Sequence, residues 1–357
     1  MRVPSFLKAR EAITIIGAVV FILVVGLAEP RFVEFGNLTR VANSTVILAL
    51  LAAGSALVII TRNIDVSIGS TMALTGIVGG LMLRDGVPIA VVVPVVIGFG
   101  GLLGAVNGLG VTVGRVPSIV MTLGTLGAYR GISFMITGGT SVENIPASYK
   151  QLGTMKLVGI PVIVWGAAVL LVLLGLGMAR TRTGRHVYAT GDNAAGAHLI
   201  GIRTTGIVIL AFTASGALAA TAALVFLAQI GSVSNQAGMG IEMRAIAAAV
   251  IGGVALSGGV GTVLGATFGA IFITTATSSL SFLGIPGFWA DTVIGAILLI
   301  ALFADARVRA GLDNRRLAAR YRSDPGEPPS VLAAERTQLT GAHSAGAQTD
   351  GLTGGPK

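Results

Sequence analysis

Long apolar runs alternate with short polar or glycine-rich joints along most of this chain. Each run approaches the length a helix needs to cross the roughly 30 Å hydrocarbon core of a bilayer. The runs fall at about Ala12 to Ala28, Ser44 to Ile60, Ser67 to Leu83, Val87 to Val113, Pro117 to Ile136 and Ile160 to Ala179. Four more follow, at about Gly206 to Gln229, Ala245 to Leu256, Gly261 to Leu283 and Phe288 to Ala304. The pattern predicts an all-α polytopic membrane protein of about ten transmembrane helices, some of them tilted or broken.

One stretch interrupts the pattern. From Ala179 to Arg203 the chain reads ARTRTGRHVYATGDNAAGAHLIGIR, a polar, basic island between two apolar halves. Asp192 and Asn193 are placed to cap a short helix over Ala194 to Ile200, and Gly201 to end it in a left-handed conformation. Such a helix lies outside the bilayer, yet it carries the apolar Leu199 and Ile200. It reads either as a docking surface for a soluble partner or as an ordinary capped loop helix.

Composition narrows the class further. Hydrophobic residues make up 53% of the 357 and charged residues only 11%, which excludes a water-soluble globular protein. A net charge of +9 would suit nucleic acid, but the basic residues fall in segments that flank the membrane, so no nucleic-acid partner is expected. The absence of cysteine excludes disulfides, thiolate metal sites and cysteine nucleophiles. His186, His198 and His343 have no metal-ligand spacing, and no metal site is expected.

The first run is read as a retained helix, although Gly26 and Ala28 give it the small-residue ending of a cleavable signal. With the N-terminus inside, the inner segments hold Arg2, Lys8, Arg10, Arg62, Arg115, Arg180, Arg182, Arg185 and Arg203, then Arg307, Arg309, Arg315, Arg316, Arg320 and Arg322. The outer ones hold Arg31, Arg40, Arg84, Lys150, Lys156 and Arg244. This bias places the island and both termini in the cytoplasm. From Ser323 the Pro-, Gly-, Ser- and Ala-rich tail is expected to be disordered.

The chain writes G-x-x-L-G-A-x-x-G twice, at Gly100, Leu103, Gly104, Ala105 and Gly108 and again at Gly261, Leu264, Gly265, Ala266 and Gly269. A weaker echo pairs Ile64-Asp65 and Gly79-Gly80 with Ile241-Glu242 and Gly252-Gly253. On the span count the two copies run in opposite directions, as in an inverted repeat, with the island as the joint between its halves. Close helix packing through small residues is the plainer account.

Acids near the membrane are few: Asp65 and Glu242 at span starts and Asp291 near the last span, none of them central on this reading. An ion-coupled carrier is therefore poorly supported. Arg130, beside Tyr129, falls well inside a span and is expected to face a water-filled path or another helix, snorkelling being the alternative. Uncharged polar residues gather at Thr61, Asn63, Asp65 and Ser67, at Asn107, Thr122 and Thr125, and at Gln229, Ser232, Asn235 and Gln236. Such groups suit a polyhydroxylated solute; singly, each also suits helix-to-helix hydrogen bonding. None of Lys8, Lys150, Lys156 and Lys357 precedes Ser or Thr in a phosphate-binding loop, and no catalytic signature appears. The chain is not expected to be an enzyme.

Four ordered stretches, TRNIDVSIGS (Thr61 to Ser70), TLGTLGAYRGI (Thr122 to Ile132), YATGDNAAGAHLIGI (Tyr188 to Ile202) and IEMRAIAAAVIGGVALSGGVGTVLGA (Ile241 to Ala266), resemble the permeases of ribose-type ABC sugar importers. Within that family the likeness is greatest to permeases of autoinducer-2 import, through TRNIDVSIGS, ATGDN and GAYRG. The resemblance implies a permease domain over 12–306, with a coupling segment at 180–206, a cytoplasmic N-terminus at 1–11 and a basic arm and tail at 307–357. It implies a second permease, identical or homologous, a cytoplasmic ABC ATPase that binds ATP and Mg, and an extracytoplasmic solute-binding protein, all at a bacterial inner membrane. This chain would carry no cofactor.

By the same resemblance, Asp192, Asn193, Ala194, Ala195, Ala197, Leu199, Ile200, Gly201 and Ile202 match the family's coupling helix. Asp192 and Asn193 would cap it, and Leu199, Ile200 and Ile202 would be its apolar contacts. One departure is Gly196-Ala197, where a strict register places the second residue of the family's alanine pair. Asn63, Asp65, Ser67, Asn107, Thr122, Thr125, Tyr129, Arg130, Gln229 and Asn235 are the candidate translocation path. Ribose, rhamnose or another pentose or methylpentose is the alternative solute, and a stand-alone secondary carrier the alternative class.

Overall fold

The computed structural model describes residues 5–286, 288–290, 292–296 and 299. Asp291, the end of the expected last span, and the whole of the arm and tail lie outside the described residues. The chain divides into two compact units at residue 301, and all of the described residues belong to the first.

Helices follow the apolar runs closely: α1 (Ser5–Ala28), α2 (Phe35–Ile60), α3 (Ile68–Arg84), α4 (Ile89–Thr112) and α5 (Ser118–Thr137). A short α6 (Ala147–Thr154) and the strand pair β1 (Lys156–Leu157) and β2 (Ile160–Pro161) lead to α7 (Val162–Arg180). The island folds as α8 (Arg182–Asp192) and α9 (Ala194–Leu199), and α10 (Thr204–Ile230), α11 (Ile241–Ile251) and α12 (Val263–Phe282) complete the set. Among the described residues, α2, α4, α5, α7, α10 and α12 are long and apolar enough to cross a membrane. Ten spans are therefore not confirmed by length and composition. The starts of α1 and α2 lie seven and nine residues before the expected Ala12 and Ser44, and α11 begins four residues before the expected Ala245 and ends at Ile251, short of Leu256. Its end is fixed by packing: Gly252 lies against the Gly265 carbonyl so closely that a Cβ there would overlap it.

Helix α2 is the hub. Nearly every residue from Val46 to Ile60 is buried, and it packs against α10, α11, α12 and α7. A helix apolar all round has no solvent face to keep, so it takes the centre. Helix α5 shows the reverse of a soluble helix. Thr122, Thr125, Tyr129 and Ser133, at helical spacing, form its buried face, while Val120, Leu123, Phe134 and Met135 are exposed. Exposed apolar surface on this scale fits a lipid or subunit neighbour and not water.

Contacts among the helices are reciprocal. Helix α4 packs on α10 as α12 packs on α2; α3 packs on α10 as α11 packs on α2; and α3 meets α4 as α11 meets α12. The counterparts α2 and α10 also run antiparallel, since Gln229 bonds Asn43, Gly54 faces Ser215, and Val58 clusters with Val208 and Phe212. These are the relations of an inverted repeat. Both glycine motifs lie at close helix contacts. Gly100, Gly104 and Gly108 lie on Gly216, Phe212 and Ile209 of α10, while Gly265 and Gly269 lie on Gly252 and Ala248 of α11. The two copies sit at different places in their helices and pack on different partners, so they report tight packing and not the repeat. The reciprocal pairs begin at α2 and at α10, and the island stands in the chain directly before α10.

Candidate functional site

The two halves meet at two breaks. Between α2 and α3, Thr61 to Ser67 is not helical, and between α10 and α11 neither is Gly231 to Gly240. The start of α3 touches the start of α11, for a Cβ on Gly69 would sit 2.5 Å from both the Gly238 carbonyl and Glu242 Oε2. The first turns of two helices brought side by side add their unpaired N–H groups and positive potential at one place.

Asp65 answers that potential beside α3. Its Oδ1 accepts from the Ser67 N–H at 3.0 Å and the Ser67 hydroxyl at 2.6 Å, and its Oδ2 accepts from the Ser215 hydroxyl at 3.3 Å. Ser67 in turn accepts from the Asn107 amide at 2.8 Å, and the Asn107 carbonyl accepts from Thr125 at 2.7 Å. Thr122 accepts from the Val66 N–H and donates to the Ser118 carbonyl. Donors point one way from Thr125 and Asn107 toward the carboxylate, so each bond polarises the next. All of Asp65, Ser67, Asn107, Thr122 and Thr125 are buried. Tyr129 closes the same face by donating to the Leu103 carbonyl at 2.9 Å.

These positions correct the expectation that no acid is central. Asp65 is 3% exposed and bonds Ser215 near the middle of α10, while Glu242 Oε2 is buried with no hydrogen-bond partner. The scarcity of interior acids no longer argues against an ion-coupled carrier.

A second cluster surrounds Arg130. Its Nη1 donates to the Asn235 carbonyl at 2.6 Å and the Ala237 carbonyl at 2.9 Å, which ties α5 to the second break and leaves no snorkelling geometry. Asn235 Oδ1 accepts from Thr137 at 2.8 Å. Gln229 lies apart, donating to Asn43, and Asn63 bonds locally to Thr61. Of the ten candidate path residues, Asp65, Ser67, Asn107, Thr122 and Thr125 form one network and Arg130 with Asn235 a second, while Tyr129, Gln229 and Asn63 bond elsewhere. The sequence reading missed Ser215 and Thr137; an isolated serine within the apolar run of α10 was the available signal for the first.

At the island, Asn193 caps α9 by accepting from the Gly196 N–H at 2.9 Å, and Gly201 follows with φ of 84°. Asp192 instead closes α8. The helix ends at Leu199, one residue short of the expected Ile200. Leu199 is 87% exposed and Ile200 76%, whereas Ala197 and Ile202 are buried within this chain. Leu199 and Ile200 are the large apolar side chains exposed on this turn, with Ala194 and Ala195 exposed beside them and Gly201 closing it.

A bilayer-spanning bundle built as antiparallel halves around interior helix breaks has the architecture of a membrane transport permease. The chain belongs to the family described as "Branched-chain amino acid transport system / permease component", which matches residues 37–302. It is 43% identical over 331 residues to the autoinducer 2 import system permease protein LsrC of Salmonella typhi, covering 91% of this chain and 94% of that protein. To the protein of the same name from Escherichia coli (strain K12 / DH10B) it is 42% identical over 333 residues, or 92% and 97% of the two chains. No solved structure matches the chain.

Proposed function

We propose that this chain is the membrane-spanning subunit of an ATP-driven importer of a small sugar-like solute, with autoinducer-2 as the first choice. The observation that carries the ATP-driven part is the capped α9 helix, which offers Leu199 and Ile200 to solvent outside the spans. Two large apolar side chains held out on an ordered turn are costly in water and useful at an interface. In this reading they seat in a cytoplasmic ATPase, which binds ATP and Mg, while a second permease and an extracytoplasmic binding protein complete the assembly. The chain then lies in a bacterial inner membrane with both termini in the cytoplasm. Likeness to LsrC across nine-tenths of the chain supports the solute.

The Asp65, Ser67, Asn107 and Thr125 chain would act by exchange. Its donors and acceptors satisfy one another when the halves are closed and satisfy a polyol's hydroxyls as the halves rock. Buried Asp65 also favours a second reading, an ion-coupled carrier that works alone. Reconstitution separates the two. Labelled autoinducer-2 should enter vesicles holding the full assembly only when ATP is supplied, and excess ribose or rhamnose should compete poorly. Uptake by this chain alone, driven by a proton or sodium gradient, would select the second reading.

A further inference from the structure

The docking turn touches the interior network through a compact joint. Three chain segments distant in sequence meet there: the end of α2 with Thr61 and Arg62, the end of α8, and the glycine-rich loop Gly252 to Thr262 between α11 and α12. Resting on the ATPase-docking reading of α9, we propose that Tyr188 and Arg62 are positioning residues that clamp this joint, so that displacement of α9 is delivered to the break carrying Asp65.

The contacts run in sequence. Gly191, next to the last residue of α8, lies so close to the Ile60 carbonyl and the Gly259 nitrogen that a Cβ would overlap them. The Ile60 carbonyl, at the last residue of α2, accepts from the Gly259 N–H at 2.9 Å. Backbone packed on backbone has no rotamers through which to yield, so the three segments move together. Side chains close the joint from two sides. The Tyr188 hydroxyl donates to the Gly261 carbonyl at 2.8 Å, and Arg62 Nε donates to the Ser257 carbonyl.

Arg62 sits at φ of 66°. That left-handed region is unfavourable for a side chain other than glycine, asparagine or aspartate, and it persists where surrounding contacts over-determine it. Here the Ser257 contact and the packing of Gly258 against the Arg62 side chain do so. Three residues further on comes Asp65, and two beyond that Ser67, the members of the buried network nearest the joint. In the other direction Asp192 and the capping Asn193 follow Gly191 directly, and α9 begins. One continuous path of bonded or touching atoms thus joins the exposed Leu199 face to the interior.

The clamp is a physical claim about a two-ended element, so both ends must be read. Hydrogen exchange is followed at 194–202 and at 61–70 in the assembled permease and ATPase complex, with and without a non-hydrolysable ATP analogue and Mg. The wild-type complex should respond to nucleotide at both segments. The double variant Tyr188→Phe with Arg62→Asn, asparagine being tolerant of that backbone region, should keep the response at 194–202. Its response at 61–70 should shrink roughly threefold or more, within the range of single coupling residues. Equal responses at 61–70 in both proteins would overturn the clamp, and so would loss of both responses together, since the two residues would then merely hold α9. Should the double variant not accumulate, Tyr188→Phe alone, which removes one hydroxyl, carries the same comparison. A wild-type complex silent at 194–202 would instead sink the docking reading, and this inference with it.

Discussion

The Ser215 hydroxyl donates to the Asp65 carboxylate at 3.3 Å, joining the middle of one half's long helix to the break in the other half. That single bond places an acid and its partner at the crossing of the repeat. Ser215 is fully buried and Asp65 nearly so.

The pair gives a graded expectation. Ser215→Ala leaves a buried Asp65 oxygen without its donor and should cost about 1–3 kcal/mol of stability. Asp65→Asn should cost at least as much, since an amide turns one acceptor face into a donor facing the Ser67 or Ser215 hydroxyl. The double variant should fall short of the sum, because the two share one interaction. Thermal unfolding in detergent checks the cycle; strict additivity would show that the bond is not formed.

Two glycines should behave oppositely. Gly104 lies against the Phe212 carbonyl of α10, and Gly104→Ala should lose about 1–3 kcal/mol through forced separation of the helices. Gly124, inside α5, has open space where a Cβ would go, so Gly124→Ala should raise the stability of the isolated chain by about 0.5–1 kcal/mol. Recovery of monodisperse protein by size exclusion after graded heating measures both.

Asn193→Ala should weaken α9 by about 1 kcal/mol without disturbing the bundle, because the lost cap serves only the Gly196 N–H. The expected outcome is an unchanged melting temperature with ATPase binding about fivefold weaker. A melting temperature lowered in parallel with binding would mean that the cap supports the membrane core instead.

Much of this was legible in the sequence because bilayer length and apolar runs dictate helices locally. Nine expected runs overlap helices, and both copies of the glycine motif fall at close helix contacts. Asn193 and Gly201 declared the ends of α9 through short-range capping chemistry. Asp65 was misread for a physical reason: it opens a span in sequence, but the preceding break folds inward, and its partner Ser215 is 150 residues away. Tyr188 and Gly261 are equally remote, at 73 residues. Pairings at such separations depend on how helices stack, which no local period encodes.

The most direct measurement is recovery of the tagged chain from its native membrane, as wild type and as Leu199→Asp with Ile200→Asp, with the co-purifying proteins identified by mass spectrometry. If α9 is the docking helix, an ATPase with a phosphate-binding loop should accompany the wild type in stoichiometric amount and be lost from the variant, although the variant inserts at the same level. An ATPase retained by the variant, or none on the wild type, would contradict that role.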